Sequence, residues 1–229
     1  MRRLVEELDY RPTAMGPLSL RRRWVSAIDA DVYEVMLGDE HLMSSLFTVG
    51  ETQLAVLGLE WARGKALRVL IGGLGLGYTA QAALSDPRVA AVEVVDVQPA
   101  VIDWHRQGLT PLGRTLAEDP RCRLTHADFF KGFEGPPGRR DVILLDIDHS
   151  PSRWLAPAHQ AFYGVDSLGR MRDSLAQDGV FALWSDDPPD PVFLERLGSV
   201  FSVVDAPEVA FDNPLTGEPS RCTIYRGRR

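Results

Sequence analysis

Cysteine is scarce in this chain: Cys122 and Cys222 are the only two in 229 residues. Both stand in strand-like surroundings, without the spacing of metal ligands or of a disulfide framework, and are read as buried free thiols of a cytoplasmic protein. No apolar run approaches the roughly 20 residues that a membrane span needs. The N-terminal stretch MRRLVEELDY has no apolar h-region, so no secretory signal is expected there. Positive charge is also in deficit, with 25 Lys and Arg against 32 Asp and Glu and a formal net charge of −7. That balance argues against a general nucleic-acid footprint. Arg21-Arg22-Arg23 is the most compact basic run and reads as a solvated strand face. Internal repeats and low-complexity linkers are missing, and the length suits one compact domain with a small appendage.

What the chain does have is glycine set between apolar runs. Residues 67–80 read LRVLIGGLGLGYTA. Leu67, Val69, Leu70 and Ile71 form a short continuous apolar run, the pattern of a strand buried on both faces of a parallel sheet. Gly72, Gly73, Gly75 and Gly77 end it, and residues 79–84 then have helix-forming composition. The segment predicts strand, glycine loop and helix. Gly73, Gly75 and Gly77 alternate as G-x-G-x-G, which lets the backbone turn tightly and approach a ligand. The helix start adds free N–H groups and a positive dipole end. Such a loop is either a plain tight turn or a nucleotide cradle. The next strand helps to separate the two, because Val89–Asp96 ends in an acid about 20 residues past the loop, where a carboxylate accepts both ribose hydroxyls. Asp96 also suits a turn or N-cap before the helix Pro99–Gln107. Beside the glycines, nucleoside binding is the stronger of the two.

Residues 16–45 have a different rhythm. Leu18 and Leu20, then residues 32–37, alternate or cluster as strands, Gly38-Asp39-Glu40 is turn-like, and His41-Leu42-Met43 returns. The expectation is a short β-element within residues 1–50, followed by an α/β domain over 51–229. Residues 47–61 read as a helix leading into the glycine strand. Downstream, residues 121–127, 141–146 and 179–184 read as strands, 167–177 and 191–197 as helices, and 135–138 as a surface loop. Residues 200–205 and 220–225 read as a closing strand pair. This alternation predicts an α/β fold: a doubly wound, mostly parallel, seven-stranded Rossmann-like methyltransferase sheet with a small N-terminal β-hairpin element. Ligands of such sheets bind beyond the carboxyl ends of the strands. Asp96, Asp128 and Asp146 all sit at such ends, so three acids converge on one edge.

These motifs together resemble the spermidine synthase-like branch of the class I S-adenosylmethionine-dependent transferases, the spermine/spermidine synthase family, over about residues 33–187. VLIGGLGLGYT at 69–79 is similar to the family's glycine motif, and Asp96 falls at its ribose-binding acid. THADFF at 125–130 resembles the stretch whose acid contacts the adenine amino group, which implies that role for Asp128, with Phe129 beside the ring. DVILLDIDHSP at 141–151 resembles the segment of the reactive-site acid, which falls on Asp146. The resemblance implies a donor pocket of Gly73, Gly75, Gly77, Thr79, Asp96, Val97, Asp128 and Phe129. It also implies S-adenosylmethionine or its decarboxylated form as co-substrate, and no metal.

Three departures bear on the reaction. Aminopropyltransferases of the family carry an acid in the glycine loop that meets the amine of decarboxylated S-adenosylmethionine, and the matching position is read as Leu76. Their second acid, three residues after the reactive one, is here His149, with Asp148 just before it; both are candidate substrate residues. A tyrosine expected near the end of the hairpin region is missing, and Gly50-Glu51-Thr52-Gln53 stands there. His105 and His126 read as structural. Trp154, Phe162, Tyr163 and Trp184 suit either an acceptor pocket or the core, and Asp186-Asp187 either a wall of the site or a plain loop.

The leading expectation is therefore methyl transfer from S-adenosylmethionine to a small acceptor. A bare ammonium would be desolvated beside Leu76. The N–H groups of the glycine loop and the Thr79 hydroxyl suit the carboxylate of S-adenosylmethionine. Asp146 is the catalytic candidate, orienting the acceptor and taking its proton. Aminopropyl transfer in polyamine synthesis and a non-catalytic nucleoside-binding relative are the alternatives. A nicotinamide dehydrogenase fits Asp128 and the closing strands less well. The expected partner is a small-molecule acceptor, with neither nucleic acid nor membrane, and a homodimer is left open.

Overall fold

In the computed structural model, which describes residues 4–133 and 140–229, the chain first builds four antiparallel strands. These are β1 (Val5–Thr13), β2 (Gly16–Val25), β3 (Ala30–Leu37) and β4 (Glu40–Ser44), hydrogen-bonded in that order. The hairpin anticipated around Gly38 is the β3–β4 arm of this larger sheet. β1 escapes a local reading because VEELDYRPT is mostly polar. Its strand state comes from pairing with β2, where Glu6 lies opposite Arg22 and forms an ion pair with it. The Arg run lies on β2, and Arg23 pairs across to Glu34 of β3 at 2.7 Å.

The rest of the chain alternates as expected. Helix α1 (Val49–Trp61) leads into β5 (Leu67–Gly72), then α2 (Tyr78–Ser85), β6 (Val89–Asp96), α3 (Pro99–Gln107), α4 (Gly113–Glu118) and β7 (Cys122–His126). β8 (Arg140–Leu145) follows a 3-10 turn at Phe129–Phe133; a second such turn, Pro157–Tyr163, precedes α5 (Val165–Ser174). β9 (Leu175–Ser185), α6 (Pro191–Gly198), β10 (Val203–Asp205), β11 (Glu208–Phe211) and β12 (Ser220–Arg228) complete the chain. The loop anticipated at 135–138 lies outside the described residues. Residues 175–177, expected in a helix, open β9 instead. Arg140 pairs with Leu175 but Val142 with Val180, so the intervening residues bulge, with Asp178 at φ 60°.

The central sheet runs β10-β12-β9-β8-β5-β6-β7, with β11 added against β12. β9, β8, β5, β6 and β7 are parallel, and the β10, β11 and β12 pairings are antiparallel. Side chains of a strand alternate between faces. Val142 and Leu144 of β8 pack with α1 and α2 on one face, and Ile143 and Leu145 with Phe162, Phe181 and Tyr225 on the other. The chain winds from β5 to β6 and β7 on one side, then crosses back to β8 on the other side of β5. Strand order therefore reverses between β5 and β8, and the crevice that such a reversal opens lies at their carboxyl ends.

The N-terminal sheet is tied to that edge. The Trp104 indole N–H of α3 donates to Asp9 Oδ2 of β1 at 2.7 Å, and the Leu76 N–H donates to Met43 Sδ of β4 at 2.9 Å.

Candidate active site

At the reversal point the glycine loop leaves β5 in left-handed backbone. Gly73 has φ 92°, Gly75 φ 48° and Gly77 φ 93°, conformations that side chains rarely adopt. Space matters as much as angle. A Cβ on Gly73 would stand 2.0 Å from the carbonyl oxygen of Asp146, and one on Gly75 would stand 2.5 Å from Met43 Sδ.

The loop's own donors are already engaged. The Gly73 N–H donates to Val95 O (2.9 Å), Leu74 N–H to Asp96 Oδ2 (2.9 Å), Leu76 N–H to Met43, and Gly77 N–H to Leu74 O (2.8 Å). The Gly75 N–H also acts on the Asp96 carboxylate. Thr79 is likewise committed, its hydroxyl donating to Asp146 Oδ2 at 2.8 Å. Leu76, expected to border the donor, is fully buried in the core below the loop. The loop residues that reach the cavity are Gly73 and Gly75.

That cavity measures about 330 Å3 and opens at the carboxyl ends of β5, β6 and β8. Gly73, Gly75, Asp96, Val97, Asp128, Phe129, Asp146 and His149 all line it. Gly77 and Thr79 stand behind the lining and shape it. The covering wall is hydrocarbon, from Met15, Leu18, Val35, Leu37, Leu42 and Met43 of the N-terminal sheet and its turn. Among the described residues, its acids are Glu51, Asp96, Asp128 and Asp146, and no Lys or Arg lines it.

Each acid is held differently. Asp96 Oδ1 accepts from the Gln98 N–H at 2.7 Å, so its two oxygens brace the loop and the start of α3 together. Burial raises its pKa, against the pull of those N–H groups and of His126. Asp128 Oδ1 accepts from the Phe130 N–H at 3.0 Å, and the Phe129 ring lies under Gly72, 2.7 Å from where a Cβ would stand. Asp146 is pushed up to about 6 by burial, against the Thr79 hydrogen bond. Glu51 is pushed up to about 8, chiefly by burial and then by the Asp146 charge. Glu51 carries no functional signal in the sequence itself. An acid in the first turn of a helix is usually explained by the helix dipole alone.

Other candidates fall elsewhere. Asp148 is not at the cavity: its buried carboxylate accepts from the Leu155 N–H, the His159 ring and the Tyr163 hydroxyl, folding residues 148–163. His149 Nε2 lies 2.9 Å from Glu40 Oε1 of β4 and bridges the two sheets. Of the four aromatic candidates, Trp184 lines the cavity, Phe162 and Tyr163 are core, and Trp154 packs half-buried against that core with its indole N–H on Pro151 O. Asp186 and Asp187 pair with Arg153. His105 is buried, its Nδ1–H donating to Val101 O. Cys222 is buried, and Cys122 only half-buried. Among the described residues no group of three or more His, Cys, Asp or Glu is arranged for a metal ion, and no helix is long and apolar enough to cross a membrane.

Solved structures share this architecture. A spermidine synthase in complex with the transition state analogue AdoDATO superposes with a TM-score of 0.76 at 17% identity, over 97% of this chain and 73% of that one. The spermidine synthase of Thermotoga maritima gives 0.75 at 18% identity, over 97% and 72%. In sequence, polyamine aminopropyltransferase 2 of Streptomyces coelicolor is 31% identical over 123 residues, 52% of this chain and 22% of that protein. The fold is spermidine synthase-like. The polyamine aminopropyltransferase of Clostridium tetani is 23% identical over 121 residues, 53% of this chain and 41% of that protein. The matched stretch thus spans less than half the length of these curated relatives, and no family model matches the chain. In this chain the loop at 72–77 holds no acid, so the acids that share its cavity come from α1 and the ends of β6, β7 and β8.

Proposed function

We propose that this chain transfers an aminopropyl group from decarboxylated S-adenosylmethionine to a small amine. The observation that carries this is the charge of the cavity, with four carboxyl groups and no Lys or Arg among its lining. S-adenosylmethionine ends in an ammonium and a carboxylate, and its decarboxylated form in an ammonium alone. A carboxylate in an acidic cavity needs strong donors of its own. The donors that methyl transfer assigned to it, the loop N–H groups and the Thr79 hydroxyl, are engaged within the protein. The methyl-transfer expectation loses its footing there, and its aminopropyl alternative gains. The names of the similar curated proteins support the same reaction.

In this proposal Asp96 accepts the ribose hydroxyls, Asp128 meets the adenine amino group, and Phe129 and Val97 flank the ring. Residues 51–229 form the donor-binding unit and residues 1–50 its apolar cover. The acceptor arrives as an ammonium and gives a proton to Asp146. Its freed lone pair forms a C–N bond at the methylene carbon beside the sulfonium. The C–S bond breaks, its electron pair returns to sulfur, and methylthioadenosine leaves. Calorimetric titration with the two donors tests the assignment. Decarboxylated S-adenosylmethionine should bind at least about tenfold more tightly, a difference of about 1.4 kcal/mol. Tighter binding of the carboxylated donor would overturn it.

A further inference from the structure

Glu51 reaches the cavity because α1 is pressed hard against the sheet. α1 precedes the parallel strand β5, so its first turn lies at the carboxyl edge. Gly58 allows the close approach, since a Cβ there would stand 2.7 Å from Leu144 Cδ2 of β8. Gly50 does the same at the helix start, 2.4 Å from Trp184 Nε1. The helix thus delivers Glu51 into the cavity that Asp146 enters from the end of β8.

Two carboxyl groups lining one cavity resist joint ionisation. The neighbouring groups give them little relief. From α2 come the Thr79 hydroxyl, already on Asp146, and the Tyr78 phenol. From β12 comes the Cys222 thiol, itself pushed up to about 11, and beyond β9 Asp186 adds a negative charge held by Arg153. His149 is turned to Glu40. Both groups are pushed up, Glu51 by burial and by the Asp146 charge and Asp146 by burial, so the pair holds a proton more readily than two free carboxyl groups.

Building on the donor assigned above, we propose that Glu51 determines donor specificity: with Asp146 it receives the ammonium of decarboxylated S-adenosylmethionine, and it repels the carboxylate of S-adenosylmethionine. The donor's arm would run from the ribose at Asp96 across Gly73 and Gly75 to this pair. Gly73 packs on the Asp146 backbone, and loop residues 72–77 offer no acid of their own. Donor binding then leaves Asp146 ionised, ready to accept the proton of the incoming amine. No bond changes in the binding step; a proton held by the pair moves to water as the ammonium enters.

The test is calorimetry at pH 7 in two buffers of different ionisation enthalpy, with decarboxylated S-adenosylmethionine and with 5′-methylthioadenosine, which lacks the ammonium-bearing arm. The wild-type protein should release protons with the former and none with the latter. Glu51→Gln should abolish the release and weaken the decarboxylated donor about tenfold or more, while 5′-methylthioadenosine binds as before. Glu51→Asp, which keeps the charge, should retain the proton release. If Glu51→Gln leaves both the affinity and the proton count unchanged, Glu51 has no such role although the donor assignment survives. Equal loss of both ligands would make Glu51 structural and also overturn the proposal. A wild-type protein that binds 5′-methylthioadenosine but not the decarboxylated donor would overturn the donor assignment together with it. Should Glu51→Gln not fold, the wild-type proton count and Glu51→Asp decide.

Discussion

Asp146→Asn should lower the rate of aminopropyl transfer by roughly 10³-fold, within the usual range for removing a positioned general base. The amide still fills the site and still accepts from the Thr79 hydroxyl, so the loop geometry survives. What it cannot do is take the proton of the attacking nitrogen. Binding of 5′-methylthioadenosine should stay within a factor of two, the pattern of an interaction made mainly in the transition state. The pH profile provides a second readout. Burial holds Asp146 up at about 6, so it is a free base above that pH and is lost as a base when the pH falls through it. The wild-type rate should therefore decline on the acid side of about pH 6, and the residual rate of the variant should lack that limb. Initial rates of methylthioadenosine release from pH 5 to 9 measure both. A variant whose rate and 5′-methylthioadenosine affinity fall in proportion would make Asp146 a support of the nucleoside site and not the base.

Gly73→Ala should be among the most destabilising single-methyl additions available in this chain. Left-handed backbone costs an alanine about 1–2 kcal/mol. The added Cβ would also lie 2.0 Å from the Asp146 carbonyl oxygen, a backbone atom that cannot swing aside. Overpacking of this kind costs about 1–3 kcal/mol more, so roughly 2–5 kcal/mol is expected by urea denaturation. Gly38→Ala is the control. It has the same left-handed sign, φ 60°, but nothing within 4 Å of its Cβ, so only the conformational cost of about 1–2 kcal/mol applies. Equal losses in the two variants would show that steric contact with β8 contributes nothing.

The difference between these two glycines illustrates what the sequence could and could not reveal. That β5 is a doubly buried parallel strand is legible in four apolar residues, because burial on both faces leaves no polar alternation to hide it. Asp96 and Asp146 are legible for the same reason, each ending an apolar run, whereas Asp128 follows the mixed stretch RCRLTHA and is legible only by its place after a strand. Side-chain direction within a tight loop is not legible, since consecutive φ angles of 92° and 48° around Leu74 turn the chain unpredictably. Leu76 therefore went to the core and Gly75 to the cavity. Thr79 was legible as a hydroxyl near the loop, but its partner Asp146 stands 67 residues away in sequence. β1 was invisible because its strand state depends on β2, not on its own composition. Glu51 was hidden by ambiguity: an acid in a first helical turn needs no ligand to explain it, and only the packing of Gly50 and Gly58 on the sheet gives it a cavity to face.

The identity of the transferred group is the most direct test. Purified protein is incubated with putrescine and decarboxylated S-adenosylmethionine, and separately with putrescine and S-adenosylmethionine, and the products are identified by mass spectrometry. Methylthioadenosine and an aminopropylated amine in the first mixture, with no turnover in the second, is the predicted result. S-adenosylhomocysteine and a methylated amine in the second mixture, with none of the first pair formed, would contradict it.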